Sequence, residues 1–431
     1  MLVEFQVGNY RSFKNPVTLS MMCSSITEHS ETNVINDHRF DLLKTAAIYG
    51  ANASGKSNLV KALYFMKRYI LNSVNNLNGT INVEPFMLSS ECDNEPASFN
   101  ISFLHEDVLY NYGFRITQEE VLSEWLTYTG RKKGKLFERT GDKYTFGSYF
   151  KNGKRLVKFV RKNSLLLTVA AQLNETYSLK VIDWFTHKLH FIHGLFEDYS
   201  VFTINKLQDK EFKKKLLNLL SLADIDISDI LVYKIKGEKL IETLPEDIKF
   251  QLSKEIPLEH EFVNLSSVHN KYDKQNQICG EVVFDFENAE SEGTKKFLKL
   301  AGPLLDVIEN SGTLVIDELD TRLHPLLTKS FIQLFNSFQN EKSQLIFTTH
   351  DTGLLDRKVL RRDQIWFTQK NEYGVTDLYC LLKLKIRSDA SYEKDYVSGK
   401  YGAVPFTGNM NFFNFADWEY DNVPETKEED I

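Results

Sequence analysis

The residues with the clearest chemical potential lie in Ile48–Leu59, IYGANASGKSNL, where Gly50, Gly55, Lys56 and Ser57 stand in the order G-x-x-x-x-G-K-S. Glycines in that pattern let backbone N–H groups wrap a polyphosphate at a distance that a Cβ would obstruct. The expected nucleotide-binding set is Gly50, Ala51, Asn52, Ala53, Ser54, Gly55, Lys56, Ser57 and Asn58. Lys56 would reach the β- and γ-phosphates, Ser57 would hold Mg²⁺, and the following helix would point its positive end at the anion.

Three further groups can complete such a site. Leu314–Asp317 is an apolar run ending in Asp317 and Glu318. At the carboxyl end of a strand, Asp317 is expected on the metal side and Glu318 as the base that activates water for attack on the γ-phosphate. A second apolar run, Leu345–Thr349, ends at His350, expected to hydrogen-bond the γ-phosphate and orient the attacking water. A histidine satisfied within a loop is the alternative there. Ser291-Glu292-Gly293-Thr294 precedes a helical pattern, and small residues at a helix start can either receive an anion or simply cap the helix.

These groups require particular elements to hold them. Thr45–Tyr49 reads as a buried strand before the loop, and Leu59, Ala62, Leu63, Met66, Tyr69 and Ile70 recur at helical spacing after it. Leu2–Gly8 and Val17–Met21 read as a hairpin, and residues 97–150 as a β meander broken by Gly130, Gly134, Gly141 and Gly147. Helical patterns cover Leu165–Leu173, Ser178–His193 and Phe212–Leu222. Thr294–Asn310 and Leu326–Phe338 as helices alternate with Gly312–Ile316 and Gln344–Thr348 as strands, a βαβ rhythm that implies a parallel sheet. The expected division is 1–155 and 276–420 as two halves of one nucleotide-binding head, 156–275 as a mostly helical insertion, and 421–431 as an acidic tail.

The 431 residues are 42% hydrophobic and 26% charged with a net charge of −7, an ordinary globular balance that argues against a surface wholly wrapped by nucleic acid. Cys23, Cys92, Cys279 and Cys380 lack metal-ligand spacing and read as the reduced thiols of a cytoplasmic protein. No apolar run is long enough for a membrane span, and the first residues lack a signal-peptide pattern.

Taken together, GANASGKS, LVIDELD, TTHD and SEGT resemble the head of the ABC-type ATPases, the group of Rad50, SMC, RecF and OLD-family proteins. With VGNYRSFKNPVTLS, IDELDTRLHPLL and YEKDYVSGKYGAVPF, the chain is most similar to the AAA15/AAA21 group. There it resembles bacterial phage-defence ATPases of the RloA/AbiL type, kin to the ATPase subunits of PARIS and Septu. The resemblance implies an α/β P-loop NTPase with a mixed sheet, hydrolysing ATP with Mg²⁺ and closing head-to-tail with a second copy. Ser291 and Gly293 of one copy would then meet the nucleotide of the other, Asp320 would line the shared interface, and Arg11 would contact nucleotide. A glutamine contacting Mg²⁺ is sought in Glu84–Glu95, which contains none. The nuclease residues of the OLD family and an HNH pattern are missing, and Asp224, Asp226 and Asp229 read as helix caps and loop carboxylates. The effector is thus expected in a partner, such as a Toprim/RloB-like or HNH nuclease.

Two basic clusters leave contact with nucleic acid open: Arg131, Lys132, Lys133, Lys135 and Arg139, then Lys151, Lys154, Arg155, Lys158, Arg161 and Lys162. A solvated hairpin face is the alternative for each. Two further functions also stay open, a RecF/Rad50-like repair ATPase that binds DNA ends or gaps, and a slow ATPase scaffold whose insertion captures a partner.

Overall fold

The computed structural model describes residues 1–75, 79–130, 132–193, 200–236, 261–384, 386 and 390–405. Arg131, the last residue of the YEKDYVSGKYGAVPF stretch and the 421–431 tail lie outside the described residues. In chain order the strands are β1 (Leu2–Gly8), β2 (Val17–Ser20), β3 (Val34–Ile35), β4 (Leu42–Leu43), β5 (Thr45–Tyr49) and β6 (Ala97–His105). There follow β7 (Val108–Ile116), β8 (Val121–Thr129), β9 (Lys133–Thr140), β10 (Lys143–Phe146), β11 (Leu189–His193) and β12 (Asp229–Lys236). The last are β13 (Glu261–Tyr272), β14 (Ile278–Asp285), β15 (Thr313–Asp317), β16 (Gln344–Thr348), β17 (Ile365–Lys370) and β18 (Thr376–Cys380).

Two sheets carry the fold. The 7-stranded sheet runs β10-β9-β8-β7-β6-β1-β2, and the 6-stranded sheet runs β11-β15-β16-β5-β17-β18. In the second, β11, β15, β16, β5 and β17 are parallel and β18 is antiparallel to β17. Its inner strands are short and uniformly apolar because both faces are covered. Along β5, Ala46 and Ile48 enter one core while Ala47 and Tyr49 enter the other, as a two-residue period requires.

The helix Lys56–Asn72 lies between the sheets and buries Leu59, Val60, Ala62, Leu63, Met66, Tyr69 and Ile70. On the other sheet face pack the helices Lys210–Leu222, Glu292–Glu309 and Pro325–Phe335. The meander of the 7-stranded sheet presents Phe99, Phe103, Tyr112 and Phe114 to the first core, where Phe103 stacks on Trp184 with ring centroids 4.1 Å apart.

A buried glutamine joins the two sheets. Gln344, at the start of β16, accepts from Leu2 N at 2.6 Å and from the Thr313 hydroxyl at 3.1 Å. Its amide donates to Leu2 O at 3.0 Å and Leu43 O at 3.1 Å. The side-chain amide is thus fully used, as burial of a polar group demands.

The helical pattern expected over Ser178–His193 is corrected by the structure: the helix spans Thr176–His187, and Leu189–His193 is the edge strand β11. Pairing with β15 buries Leu189, Phe191 and Ile192 in the cores, which outweighs their helical periodicity. Among its described residues the span 156–275 therefore supplies a strand to the central sheet, and β12 and β13 besides. No helix among the described residues is long and apolar enough to cross a membrane.

Candidate nucleotide site

The loop after β5 adopts a shape that its glycines make possible. Gly50 has φ 155° and Gly55 φ 113°. A Cβ on Gly50 would stand 2.4 Å from Ser54 Oγ and 2.5 Å from Thr368 O, and one on Gly55 would stand 2.5 Å from Thr376 Oγ1. The loop is pinned from behind by neighbouring threonines. Ser54 Oγ bonds Thr368 Oγ1 at 2.6 Å, and Thr376 Oγ1 donates to Ser54 O at 2.8 Å. Asn58 donates to Ser12 Oγ at 2.8 Å, which ties the helix start to the β1–β2 turn. Ala51, Asn52 and Ala53 form the half-exposed to exposed crest.

Lys56 is buried and donates to Gly50 O at 2.8 Å and Ala51 O at 3.0 Å. Burial lowers its amine to about 8, against the pull of Asp317, Glu318 and Asp320. An ammonium held by its own loop's carbonyls is preformed for an incoming anion.

The parallel sheet brings the carboxylates to this loop. Ser57 Oγ donates to Asp317 Oδ1 at 3.2 Å, and Thr348 Oγ1 donates to the same oxygen at 2.6 Å. The Thr348 hydroxyl also accepts from Glu318 N at 2.7 Å. Glu318 has a left-handed φ of 55° that turns its side chain outward, exposed and beside Thr321 Oγ1 at 3.2 Å. His350 N donates to Asp320 Oδ2 at 3.2 Å. Burial, then the Lys56 cation, holds the His350 ring below the usual histidine range. Ser57, Asp317, Glu318, Asp320 and His350 thus gather around the loop's mouth. The Ser57 hydroxyl and the Asp317 carboxylate supply oxygens of the hard kind that Mg²⁺ takes.

Other expected residues stand apart from this cluster. Ser291 caps the Glu292–Glu309 helix, accepting from Thr294 N at 3.0 Å and bonding Thr294 Oγ1 at 2.9 Å. Gly293 follows it in the first turn, half-buried. Arg11 is engaged with Glu84, through its guanidinium at 2.5 Å and its backbone N–H at 2.8 Å. The Glu84–Glu95 loop is bound to the β1–β2 turn, Asn9 donating to Glu95 O at 2.6 Å. The strand that runs alongside Asp317 is instead β11, whose His193 is its backbone partner.

The first basic cluster loses a member. Arg139 is 2% exposed and donates to Ser164 O at 2.8 Å and Gly141 O at 3.2 Å, because a cation facing the inside must meet carbonyls. Asp229 pairs with Lys213 at 2.6 Å. Sequence reasoning misses Thr348, Thr368 and Thr376. Only the strand-end position of Thr348 in TTHD signals any of them.

A parallel sheet with a glycine-cradled loop at its carboxyl edge and paired carboxylates at the end of β15, the next strand but one, defines an α/β P-loop NTPase. The chain belongs to the family described as AAA domain, putative AbiEii toxin, Type IV TA system, which matches residues 46–356, and it is an ATPase of the AAA type. No curated protein matches the chain. Among solved structures it is similar to an SmcHead bound to the C-winged helix domain of ScpA, at 14% identity over 88% of this chain and 97% of that one, TM-score 0.43. It is also similar to the SMC head domain from Thermotoga maritima, at 12% identity over 89% and 99%, TM-score 0.40. A third is an Smc head with an extended coiled coil bound to the C-terminal domain of ScpA, derived from Pyrococcus furiosus, at 14% over 93% and 98%, TM-score 0.39.

Proposed function

We propose that the chain is one half of a head-to-tail ATPase dimer in a bacterial anti-phage, abortive-infection system of the RloA/AbiL kind. There it governs a partner effector such as a Toprim/RloB-like or HNH nuclease. The observation that carries this reading is a division within one chain. Lys56, Ser57, Asp317, Thr348 and Glu318 are joined through one loop and two strands, whereas among the described residues the Ser291 hydroxyl bonds only Thr294. A signature serine outside its own cluster is what a second copy's nucleotide would need. The family's toxin description supports the defence setting.

In this reading the loop N–H groups and Lys56 bind the phosphates. Ser57 and Asp317 would hold Mg²⁺, which neutralises phosphate charge when bound. Glu318, turned outward, takes the proton of the attacking water, and the His350 ring, neutral at pH 7, orients it. The test is Glu318→Gln with ATP. The variant should bind ATP, accumulate as dimers in light scattering and lose hydrolysis by ~10²- to 10⁴-fold. Unchanged turnover removes Glu318 from the role of base.

One observation favours a second reading, contact with nucleic acid. Lys151, Lys154, Arg155, Lys158, Arg161 and Lys162 are all exposed, and none forms an ion pair among the described residues. Gly153 lies against the Phe146 ring and Gly147 against Lys135, so the two basic stretches share one edge of the 7-stranded sheet. Phe159 and Tyr149 are exposed among them. Oligonucleotide binding that weakens steeply with salt would support this, and binding untouched by Lys154→Glu with Lys158→Glu would exclude that edge.

A further inference from the structure

One cation near the site bonds the loop that carries Glu318 rather than the glycine loop. Lys296 lies one turn into the Glu292–Glu309 helix, five residues after Ser291. Its ammonium donates to Glu318 O at 3.4 Å and, by a shorter bond, to Thr321 O. Those two carbonyls bracket the loop that carries Glu318 and Asp320. That loop is strained, with left-handed φ angles of 55° at Glu318 and 61° at Arg322, neither of them glycine. A second link joins the same partners at the surface, where Arg322 pairs with Glu292 at 3.0 Å.

The ammonium is poorly hydrated where it sits. Burial brings its amine down to about 8, against the acids Asp320 and Glu318 and with the help of Arg322. A half-buried ammonium has to find acceptors, and these are main-chain oxygens rather than a carboxylate. The hydrogen bonds therefore fix the backbone of the loop, with the acids Asp320 and Glu318 acting on the ammonium only through space. Any shift of the helix start must drag the loop or break both bonds.

We infer that Lys296 is a positioning residue that couples the signature end of its helix to the loop holding Glu318. Through it, seating of Ser291 on a second copy's nucleotide sets the base over the chain's own nucleotide. The inference rests on the shared-site reading above. It gives the two sites of a dimer a mechanical connection inside each chain.

The test uses the full chain with Lys296→Met, Lys296→Arg, Ser291→Ala and the double variant Ser291→Ala with Lys296→Met. Affinity for a fluorescent ATP analogue, association with a non-hydrolysable analogue, kcat and KM are measured for each. Lys296→Met should bind nucleotide within about twofold of wild type, still associate, and lose at least tenfold in kcat with little change in KM. Lys296→Arg, which keeps donors for both carbonyls, should recover most of that loss. The double variant should fall short of the product of the two single losses, the mark of residues on one path. Losses that multiply, or a Lys296→Met variant with wild-type kcat, overturn the coupling. A wild type that hydrolyses ATP without associating overturns the shared site and the coupling with it. Lost nucleotide binding in Lys296→Met with full recovery in Lys296→Arg would make the residue a structural support and also overturn the inference.

Discussion

Thr348→Val removes one oxygen from the centre of the site while keeping the side chain's shape. Thr348 is fully buried, and its hydroxyl works twice, donating to Asp317 Oδ1 at 2.6 Å and accepting from Glu318 N at 2.7 Å. A hydrogen bond to a charged group contributes roughly 1.5–3 kcal/mol, and a partly buried N–H left alone costs roughly 1–3 kcal/mol. Since the two losses overlap in one side chain, valine should destabilise the protein by about 2–5 kcal/mol. The functional effect is separate: Asp317 and Glu318 both lose the group that fixes them. A positioning loss of about 1.4–2.7 kcal/mol in the transition state lowers kcat by ten- to a hundredfold. Denaturant unfolding at unchanged slope and steady-state hydrolysis would be compared for wild type, Thr348→Val and Thr348→Ser. Serine keeps the hydroxyl and should recover most of both. A valine variant within about 0.5 kcal/mol and twofold in kcat of wild type, or a serine variant no better than valine, would refute the reasoning.

Other outcomes follow from the same geometry. Gly55→Ala should cost ~2–4 kcal/mol and abolish ATP binding, because its Cβ would meet Thr376 at 2.5 Å in a left-handed backbone. Gly79→Ala, at φ 90° with open space around it, should cost only the backbone strain and leave ATP binding intact. Lys56→Ala should abolish nucleotide binding, measured by fluorescence titration. The Lys56 amine at about 8 lies below its ordinary 10.5, so between those values the unfolded chain holds the extra proton. This group should therefore make stability rise with pH from about 8 to 10.5, while ATP affinity of the free protein falls as pH passes 8 and the cation is lost.

The inner strands β5, β15 and β16 and the loop between β5 and its helix can be read from sequence because burial on both faces leaves runs of apolar residues ending in chemistry. Asp317, Glu318 and His350 follow, since a strand's carboxyl end is a fixed address in a parallel sheet. β11 is harder to read. Its residues LHFIH continue the helical periodicity of the preceding segment, and only pairing with β15 decides otherwise. Arg139 looks like a surface cation until Ser164 and Gly141 turn their carbonyls toward it. Thr368 and Thr376 are remote in sequence from the loop they pin, and nothing local to them announces that contact. Lys296 reads as one of several lysines on an amphipathic helix, and only its acceptors set it apart.

The amide of Gln344 works as a rivet between the two sheets. Leu2 of one sheet and Thr313 of the other are clamped to the same side chain, at the start of the strand that ends in Thr348. Sliding β1 past β16 would break both of the Gln344 bonds to Leu2 at once and leave buried polar groups unpaired, so the seam between the sheets resists shear. The same strand, β16, ends at the Thr348 hydroxyl that bonds Asp317 and Glu318 N.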